Sequence, residues 1–407
     1  MSSAPDPAAT PASGPLRGID VVEIASTASA AYCGRLLAGL GARVLLLEPP
    51  GGGPLRREGP FPADAPHRER AASHLHLNRG KQSAALNLAT RSGRRRLHSL
   101  LDATDALVID GEPAQWQRLS LEPGNLLATH PALVVATISP FGSSGPHRDW
   151  SGTELTSYAA GGYLRITGSP HREPVKAWGQ QAQLQAGIHA ALGTLAALSA
   201  AGRDGQGQHV DVAVAEAVSF LLGGTLQSAY FFDTEPARNG ARLVGFGDGH
   251  TYPSTVRPCL DGFVHAHCNN RFPESMALLF DQPRLSEPEL LRSMMGNADE
   301  IDALMAPKLE AETRASIVRE AQDLRIPFTE VLAPSEVLAD DAGHHAARGF
   351  FVEHPDGADG RALYPGAPIR FGETPWSDQP APCFNEHAAA LQSDAATRAR
   401  WRRAGVA

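Results

Sequence analysis

The chain has 407 residues, and at about 150 residues per domain this length predicts two or three domains. Hydrophobic residues make up 42% of the chain and charged residues 20%, which supports a sizeable core and excludes a disordered, collagen-like or coiled-coil protein. The 36 basic and 44 acidic side chains give a net charge of −8. The chain therefore lacks the overall basic character of a nucleic-acid-binding protein, and an anionic ligand would need a local basic pocket.

The start of the chain and the cysteine pattern indicate the cell compartment in which the protein works. Residues 1–17 have neither a basic region nor an apolar run, so we interpret them as a disordered leader rather than a signal peptide. The cysteines form no C-x-x-C pair, which predicts neither a disulfide scaffold nor a zinc site and favours a reducing, cytoplasmic setting; they are Cys33, Cys259, Cys268 and Cys383. The most apolar stretches, 186–201 and 212–224, fall short of about 18 continuous apolar residues, so no membrane span is predicted.

The first third of the chain alternates between strand and helix patterns. Residues 18–24 predict a buried strand, residues 30–40 a helix, and residues 43–48 a second strand, which together indicate a βαβ unit. The alternation continues with a helix at 91–103, a strand at 105–110, a helix at 113–119 and a strand at 132–138. We therefore predict an α/β protein whose large domain contains an open, mostly parallel, Rossmann-like sheet.

The remainder predicts more helix and a second, smaller domain. Helices are predicted at 154–163, 181–201, from 214 onwards and at 309–324, with a strand near 208–213 and a return to strand and turn patterns near 350–354 and 364–372. Alternating residues on both sides of Asp261-Gly262 predict a β-hairpin. The predicted domains are a large α/β domain at 18–224, a small α+β domain at 225–345, and a segment at 346–407 that rejoins the large domain.

Several common motifs are missing from the sequence. No G-x-G-x-x-G joins the first strand to its helix, and no phosphate-binding G-x-x-x-x-G-K-[ST] loop is present, so NAD is not a predicted cofactor. A serine hydrolase would need a G-x-S-x-G turn, which is also missing. The pairs His74/His76 and His265/His267 would each share one face of a strand, but without a third ligand they predict no metal site.

The segment 76–88, HLNRGKQSAALNL, contains a small basic cluster. Asn78, Arg79 and Lys81 lie in a tight loop before a predicted strand, and Lys81 is one of only three lysines in the chain. At the carboxyl side of a parallel sheet, such a loop could hold phosphate oxygens. The alternative is an ordinary solvated basic loop.

Segments along almost the whole chain resemble the class III CoA-transferases (the CaiB/BaiF family), the group of formyl-CoA transferase, carnitine CoA-transferase and α-methylacyl-CoA racemase. The matching segments, in the family's order, are GIDVVEIASTASAAYCGRLLAGLGARVLLLEPPGGGPLR, LNRGKQSAALNL, ATISPFGSSGP, AGIHAALGTLAAL, GRDGQGQHVDVAVAEAV, YPSTVRPCLDGFVHA, RIPFTEVLAPSEVLAD, ARGFFVEHP and PGAPIRF. The resemblance implies an interlocked dimer in which each protomer threads through the other. It also implies coenzyme A or acyl-CoA as the substrate, with no metal and no NAD.

The resemblance also implies the positions of site residues. In the family an aspartate attacks the acyl-CoA thioester, and the corresponding position here is Gln183, whose amide is a poor nucleophile. Racemase relatives use a His-Asp pair where this chain has Thr153 and Glu154. The residues implied to contact CoA are Asn78, Arg79, Lys81, Arg118 and Ser139.

Three functions are compatible with these residues. In the first, the protein is an acyl-CoA enzyme in which Gln183 donates a hydrogen bond to the thioester carbonyl and Glu154 acts as a base or nucleophile. Glu154 alternatively only stabilises a helix amino terminus. In the second, the chain is the non-catalytic half of a heteromeric CoA-transferase whose paralogous subunit supplies the aspartate. In the third, the fold serves a different biosynthetic reaction without CoA.

Overall fold

The computed structural model describes residues 14–233, 237–242, 252–268, 273–339, 343–354 and 362–391. Most of the predicted leader therefore lies outside the described residues, as does the end of the chain. The described residues form two compact units. The first is drawn from residues 1–161, 177–221 and 342–407, and the second from residues 162–176 and 222–341. The grouping of residues 162–176 with the second unit is not part of the sequence prediction.

The strands and helices are numbered in chain order. The strands are β1 (Asp20–Ile24), β2 (Arg43–Glu48), β3 (Gln82–Ala85), β4 (Ala106–Asp110), β5 (Val134–Ser139), β6 (His209–Ala213), β7 (Ser254–Cys259), β8 (Gly262–His267), β9 (Thr329–Glu330), β10 (Phe351–His354) and β11 (Ala362–Pro365). The helices are α1 (Ala28–Gly39), α2 (Ala72–Leu77), α3 (Arg91–Leu101), α4 (Pro113–Leu119), α5 (Pro123–Thr129), α6 (Glu154–Ala160), α7 (Tyr163–Ile166), α8 (Gln181–Asp204), α9 (Val214–Phe220), α10 (Gly224–Phe232), α11 (Pro273–Phe280), α12 (Pro288–Leu291), α13 (Ala298–Ala311), α14 (Arg314–Asp323), α15 (Pro334–Leu338) and α16 (His344–Ala347).

The first unit is built on a six-stranded sheet in the order β3-β2-β1-β4-β5-β6. Every neighbouring pair in this sheet is parallel; Val21, for example, lies beside Val44 on one side and Ala106 on the other. The central strands are almost continuously apolar because helices cover both faces of a parallel sheet. The predicted α/β fold with a parallel sheet is confirmed.

Helices α1 and α8 cover one face of this sheet and lie very close together. A Cβ atom at Gly187 of α8 would come within 2.7 Å of the Ser29 carbonyl oxygen of α1, so glycine permits the contact. By length and composition α8 could cross a membrane, with a mean hydropathy of 1.3 over an 18-residue window of which 33% is buried. The core helix of a soluble protein meets the same criterion, so this property does not by itself indicate a span.

The second unit contains an antiparallel sheet in the order β7-β8-β9. Its first two strands pair from Ser254 with His267 to Cys259 with Gly262, which confirms the hairpin predicted around Asp261-Gly262. The predicted single helix at 309–324 is wrong, because the chain becomes extended at Glu312 and Thr313 then caps a new helix, α14. A core that includes Met276, Phe280 and Phe328 joins the helices to this sheet.

A segment near the end of the chain closes one edge of the large sheet. We call residues 376–387 the strap. The Ala85 N–H of β3 donates to Asn385 Oδ1 at 2.8 Å, and the His387 N–H donates to the Ser83 carbonyl oxygen at 2.8 Å. The edge strand therefore has hydrogen-bond partners on its outer side, which protects it from pairing with another chain.

Candidate functional site

The candidate site lies at the carboxyl ends of the central strands. Strand order reverses between β1 and β4, and in open α/β sheets ligands bind in the crevice at such a reversal. Ser26 and Thr27 follow β1, Asp110 ends β4, and Ser139 ends β5. These four polar side chains therefore follow three adjacent strands at the same edge of the sheet.

Asp110 fills the amino end of α1. Its carboxyl group accepts the Ser26 N–H at 2.6 Å, the Thr27 N–H at 2.8 Å and the Ser26 hydroxyl at 2.6 Å, and its Oδ2 lies 2.7 Å from the Thr27 hydroxyl oxygen. The side chain is buried, and burial raises its pKa although the bonds from Ser26 and Thr27 oppose this effect. The amino end of α1, where many α/β proteins hold a phosphate, thus holds the chain's own carboxyl group.

Gln183 and Glu154 meet at the amino end of α8. The carboxylate of Glu154, the first residue of α6, accepts the Ala182 N–H at 3.0 Å and the Gln183 N–H at 3.1 Å. A carboxylate at this place satisfies N–H groups that have no partner within the helix, and the helix dipole favours it. Glu154 therefore fixes the backbone that carries the Gln183 side chain.

The Gln183 carboxamide is buried and bonded on one side only. Its Oε1 lies 3.0 Å from the Thr27 hydroxyl, which also contacts Asp110, whereas its Nε2 makes no hydrogen bond to the described residues. The structure thus joins Asp110, Thr27 and Gln183 in one chain of contacts. Sequence reasoning did not single out Asp110 or Thr27 as site residues; their position directly after two predicted parallel strands was the available signal.

Lys81 is closed off from solvent. Its ammonium group donates to Glu23 Oε1 at 2.8 Å, the Ala31 carbonyl oxygen at 2.8 Å and Asn78 Oδ1 at 2.9 Å, which uses all three of its donors. Burial raises the pKa of Glu23 to about 7 and lowers that of Lys81, although each group favours the charged form of the other. In this arrangement Lys81 has no donor left for a phosphate.

Arg79 and Asn78 are also buried and paired within the chain. Arg79 contacts Asp378 at 2.8 Å and His354, and its guanidinium lies 4.3 Å from the centre of the Tyr364 ring. Asn78 lies 2.9 Å from the ring of His74. The structure brings the predicted basic cluster together at the amino end of β3, because the loop precedes β3 and β3 runs parallel to β2. The loop therefore does not lie at the carboxyl side of the sheet, where it could have held phosphate oxygens. His74 and His76 lie in α2 and not on a strand.

Arg118 and Ser139 differ from the basic cluster. Arg118 lies in the last turn of α4 with its side chain exposed, so it is available to a ligand. Ser139 is buried, and its hydroxyl has no hydrogen-bond partner among the described residues.

No group of three or more His, Cys, Asp or Glu side chains within the described part of the chain could hold a metal ion.

The parallel sheet and the crevice at its reversal define an α/β protein with a switch-point site, and comparisons identify its family. The model of CoA-transferase family III matches residues 16–388, so the chain belongs to this family. The succinyl-CoA:(R)-benzylsuccinate CoA-transferase subunit BbsE of Thauera aromatica is 30% identical over 372 residues, 88% of each chain. The succinate–glutarate CoA-transferase of Agrobacterium fabrum is 27% identical over 396 residues, 94% of this chain and 96% of that protein.

A solved structure shows the same fold. The crystal structure of a CaiB/BaiF family protein from Brucella suis superposes with a TM-score of 0.82 at 26% identity, covering 93% of this chain and 99% of the other. The predicted family is therefore confirmed, and with it the class of reaction: the related proteins are CoA-transferases, which act on acyl-CoA thioesters.

Proposed function

We propose that the protein transfers CoA between carboxylic acids without an aspartyl nucleophile, with Gln183 as a hydrogen-bond donor to the thioester carbonyl. The Nε2 of Gln183 is the observation that carries this proposal, since Oε1 faces Thr27 beside the switch point and Nε2 makes no hydrogen bond within the described part of the chain. A donor held at this place stabilises the negative charge that develops on the carbonyl oxygen during attack.

The attacking group in this route is the carboxylate of the acceptor acid. It adds to the thioester carbonyl and expels the CoA thiolate, which leaves a mixed anhydride of the two acids. The thiolate then attacks the acceptor's carbonyl carbon and releases the donor acid as a carboxylate. Both oxygens of Glu154 bind backbone N–H groups, which supports a role in holding α8. Its use as a nucleophile is tested by hydroxylamine, which would attack an acyl-Glu154 anhydride, form a hydroxamate and release the other half of the anhydride as a carboxylate.

Substituting Gln183 by aspartate tests the site directly. Gln183→Asp introduces the family's nucleophile, so we expect transfer from succinyl-CoA, the donor named for a relative, to increase and an acyl-enzyme to become trappable. Gln181→Asp is the matched control, because it adds the same charge to the same turn of α8 at an exposed position. Failure of the original protein and of Gln183→Asp to transfer CoA, together with no CoA binding by calorimetry, would overturn the proposal.

Arg118 is the proposed CoA contact that can be tested without disturbing the core. Arg118→Ala removes an exposed guanidinium from α4, the helix that follows β4, and we expect CoA to bind roughly tenfold more weakly by calorimetry. Arg95→Ala on the exposed face of α3 is the control and should leave binding unchanged. Asn78, Arg79, Lys81 and Ser139 are buried, so contact with CoA would require their surroundings to open.

The apolar surface of α8 and α9 supports assembly into the interlocked dimer. Ile188, Leu192, Phe220 and Leu221 are exposed, with Leu192 at 66% and Phe220 at 76%. Exposed apolar side chains grouped in this way mark interaction surfaces, and a second copy of the chain is the partner that the family resemblance implies. Sedimentation of the purified protein as a monomer would contradict this proposal.

A second candidate is the non-catalytic subunit of a heteromeric CoA-transferase. It is favoured by the name of the relative from Thauera aromatica, which is itself a subunit. If it holds, the purified chain is inactive alone and gains transfer activity when co-expressed with a paralogue that has the aspartate. Activity of the chain alone would favour the first candidate.

A further inference from the structure

The Thr27 hydroxyl is shared between two acceptors. Its oxygen lies 2.7 Å from Asp110 Oδ2 and 3.0 Å from Gln183 Oε1. The Ser29 N–H and hydroxyl lie 3.3 and 2.9 Å from the same oxygen. A hydroxyl group has one proton, so Thr27 can donate to Asp110 or to Gln183 but not to both.

Two arrangements satisfy this limit. If Asp110 is ionised, its carboxylate takes the Thr27 proton, and the Gln183 carboxamide must turn so that Nε2 donates to Thr27 and Oε1 faces the crevice. If Asp110 carries a proton, it donates to Thr27, which then donates to Gln183 Oε1 and leaves Nε2 facing the crevice. The two ends of a carboxamide are nearly equal in shape, so the hydrogen bonds alone decide its orientation.

We propose that Asp110 is a positioning residue that acts through Thr27 and determines which end of the Gln183 carboxamide faces the acyl-CoA. With a proton on Asp110, Gln183 offers a donor to the thioester carbonyl; with Asp110 ionised, it offers only an oxygen. The inference rests on the proposed role of Gln183 as a donor. It adds a residue, Asp110, that controls this role without touching the substrate.

The groups around Asp110 have opposite effects on its charge: some favour the ionised carboxylate and others favour the neutral carboxyl group. From α1 and the two residues before it, the N–H groups of Ser26, Thr27 and Ala30 favour the carboxylate. From β1, the nearby Glu23 carboxyl, itself paired with Lys81, disfavours a second negative charge. Glu154, the first residue of α6, accepts backbone N–H groups at the amino end of α8, and the Trp116 indole of α4 donates to the main-chain oxygen of Asp110.

Burial favours the neutral carboxyl and raises the pKa of Asp110. The proton is held below this pKa and lost above it, so the donor arrangement is the low-pH form. We expect the transfer rate to fall as the pH rises through the value at which Asp110 ionises.

Nuclear magnetic resonance of the full chain labelled with ¹⁵N-glutamine tests the inference without any assay of activity. The side-chain amide signals of Gln183, identified by their loss in Gln183→Ala, should shift with pH in a single step. Thr27→Val keeps the shape of the side chain but has no hydroxyl, so the step should vanish; Thr27→Ser should retain it. Asp110→Asn, which cannot ionise, should also abolish the step and serves if Thr27→Val fails to fold.

The pH dependence of kcat/KM provides the second readout. We expect kcat/KM of the original protein and of Thr27→Ser to fall over the same pH range in which the amide signals of Gln183 shift. The kcat/KM of Thr27→Val should be lower by roughly tenfold or more and should not fall over that range. Gln183 signals that do not change with pH, or a step that persists in both Thr27→Val and Asp110→Asn, would overturn the inference. Absence of CoA transfer at every pH would instead overturn the proposed function, while the amide signals would still decide the role of Asp110.

Discussion

Glu23 and Lys81 form an ion pair that is closed off from solvent between β1, α1 and the start of β3. Lys81 Nζ has three acceptors, whereas Glu23 Oε2 has no hydrogen-bond partner among the described residues. A buried carboxyl group with one oxygen unsatisfied favours its neutral form, because the charged form loses hydration that the protein does not replace. The pair is therefore sensitive to pH.

The pH dependence of stability should reveal this group. Burial raises the pKa of Glu23 from 4.5 to about 7, so its contribution to stability is complete below pH 4.5 and is lost as the pH rises through about 7. Relative to the original protein, Glu23→Gln should gain stability between pH 4.5 and pH 8, by about 3 kcal/mol at most. Urea unfolding at both pH values measures the difference; an equal difference at the two pH values would contradict the prediction.

The sequence locates the basic cluster of Asn78, Arg79 and Lys81 but not the role of its members. The partner of Lys81 lies 58 residues away in the chain and that of Arg79 lies 299 residues away, and no local pattern indicates such pairs. The family resemblance indicates Gln183 as a site residue, but its contact with Thr27 depends on packing between α1 and α8. The sequence therefore indicates which residues belong to the cluster and to the candidate site, but not which residues they bind.

At the scale of elements, strands and helices are predictable from the sequence where burial imposes a pattern of apolar residues. The strands of the parallel sheet are short apolar runs, and the observed β2 has the predicted bounds, 43–48. The break between α13 and α14 was missed because amphipathic spacing continues across it, and only the cap at Thr313 marks the new helix. The close contact of α1 with α8 was also not predicted, although it positions Gln183.

A substitution at Gly187 tests this contact. Gly187→Ala places a Cβ 2.7 Å from the Ser29 carbonyl oxygen and 3.1 Å from Tyr32 Cβ, so α8 must move away from α1. We expect a loss of about 1–3 kcal/mol in stability, as in overpacked cores, and weaker CoA transfer since Gln183 moves with the helix. Gly202→Ala in the same helix places a Cβ more than 4 Å from every atom of the described residues, apart from its two chain neighbours and the helix's own backbone, and should stabilise the protein by up to about 1 kcal/mol. Thermal unfolding distinguishes the two; a stabilised Gly187→Ala variant would contradict the packing argument.

At the scale of the whole chain, the strap joins residues far apart in sequence. The bonds of Asn385 and His387 to β3 span about 300 residues, and Asp378 of the strap binds two arginines of the first unit. The sequence predicted that the last segment returns to the large domain, but not which strand it covers. Which strand lies at the edge of the sheet, and so needs to be covered, depends on the order of the strands in the sheet. The spacing of apolar residues along the sequence does not determine that order.

Asp378 joins the strap to two buried arginines. Its carboxylate pairs with Arg35 at 3.1 Å and with Arg79 at 2.8 Å. Both guanidinium groups are buried, and each already has one nitrogen without a hydrogen-bond partner among the described residues. Asp378→Asn removes the negative charge and leaves two buried cations without compensation, so we expect a loss of about 3–5 kcal/mol in the free energy of unfolding. Asp149→Asn is the matched control, because Asp149 pairs with Arg148 at the surface and should change stability by less than about 1 kcal/mol. Urea unfolding compares the two variants, and since the strap covers β3, Asp378→Asn should also aggregate more readily during refolding. Equal stability of the two variants would show that other contacts of the strap hold it in place without Asp378.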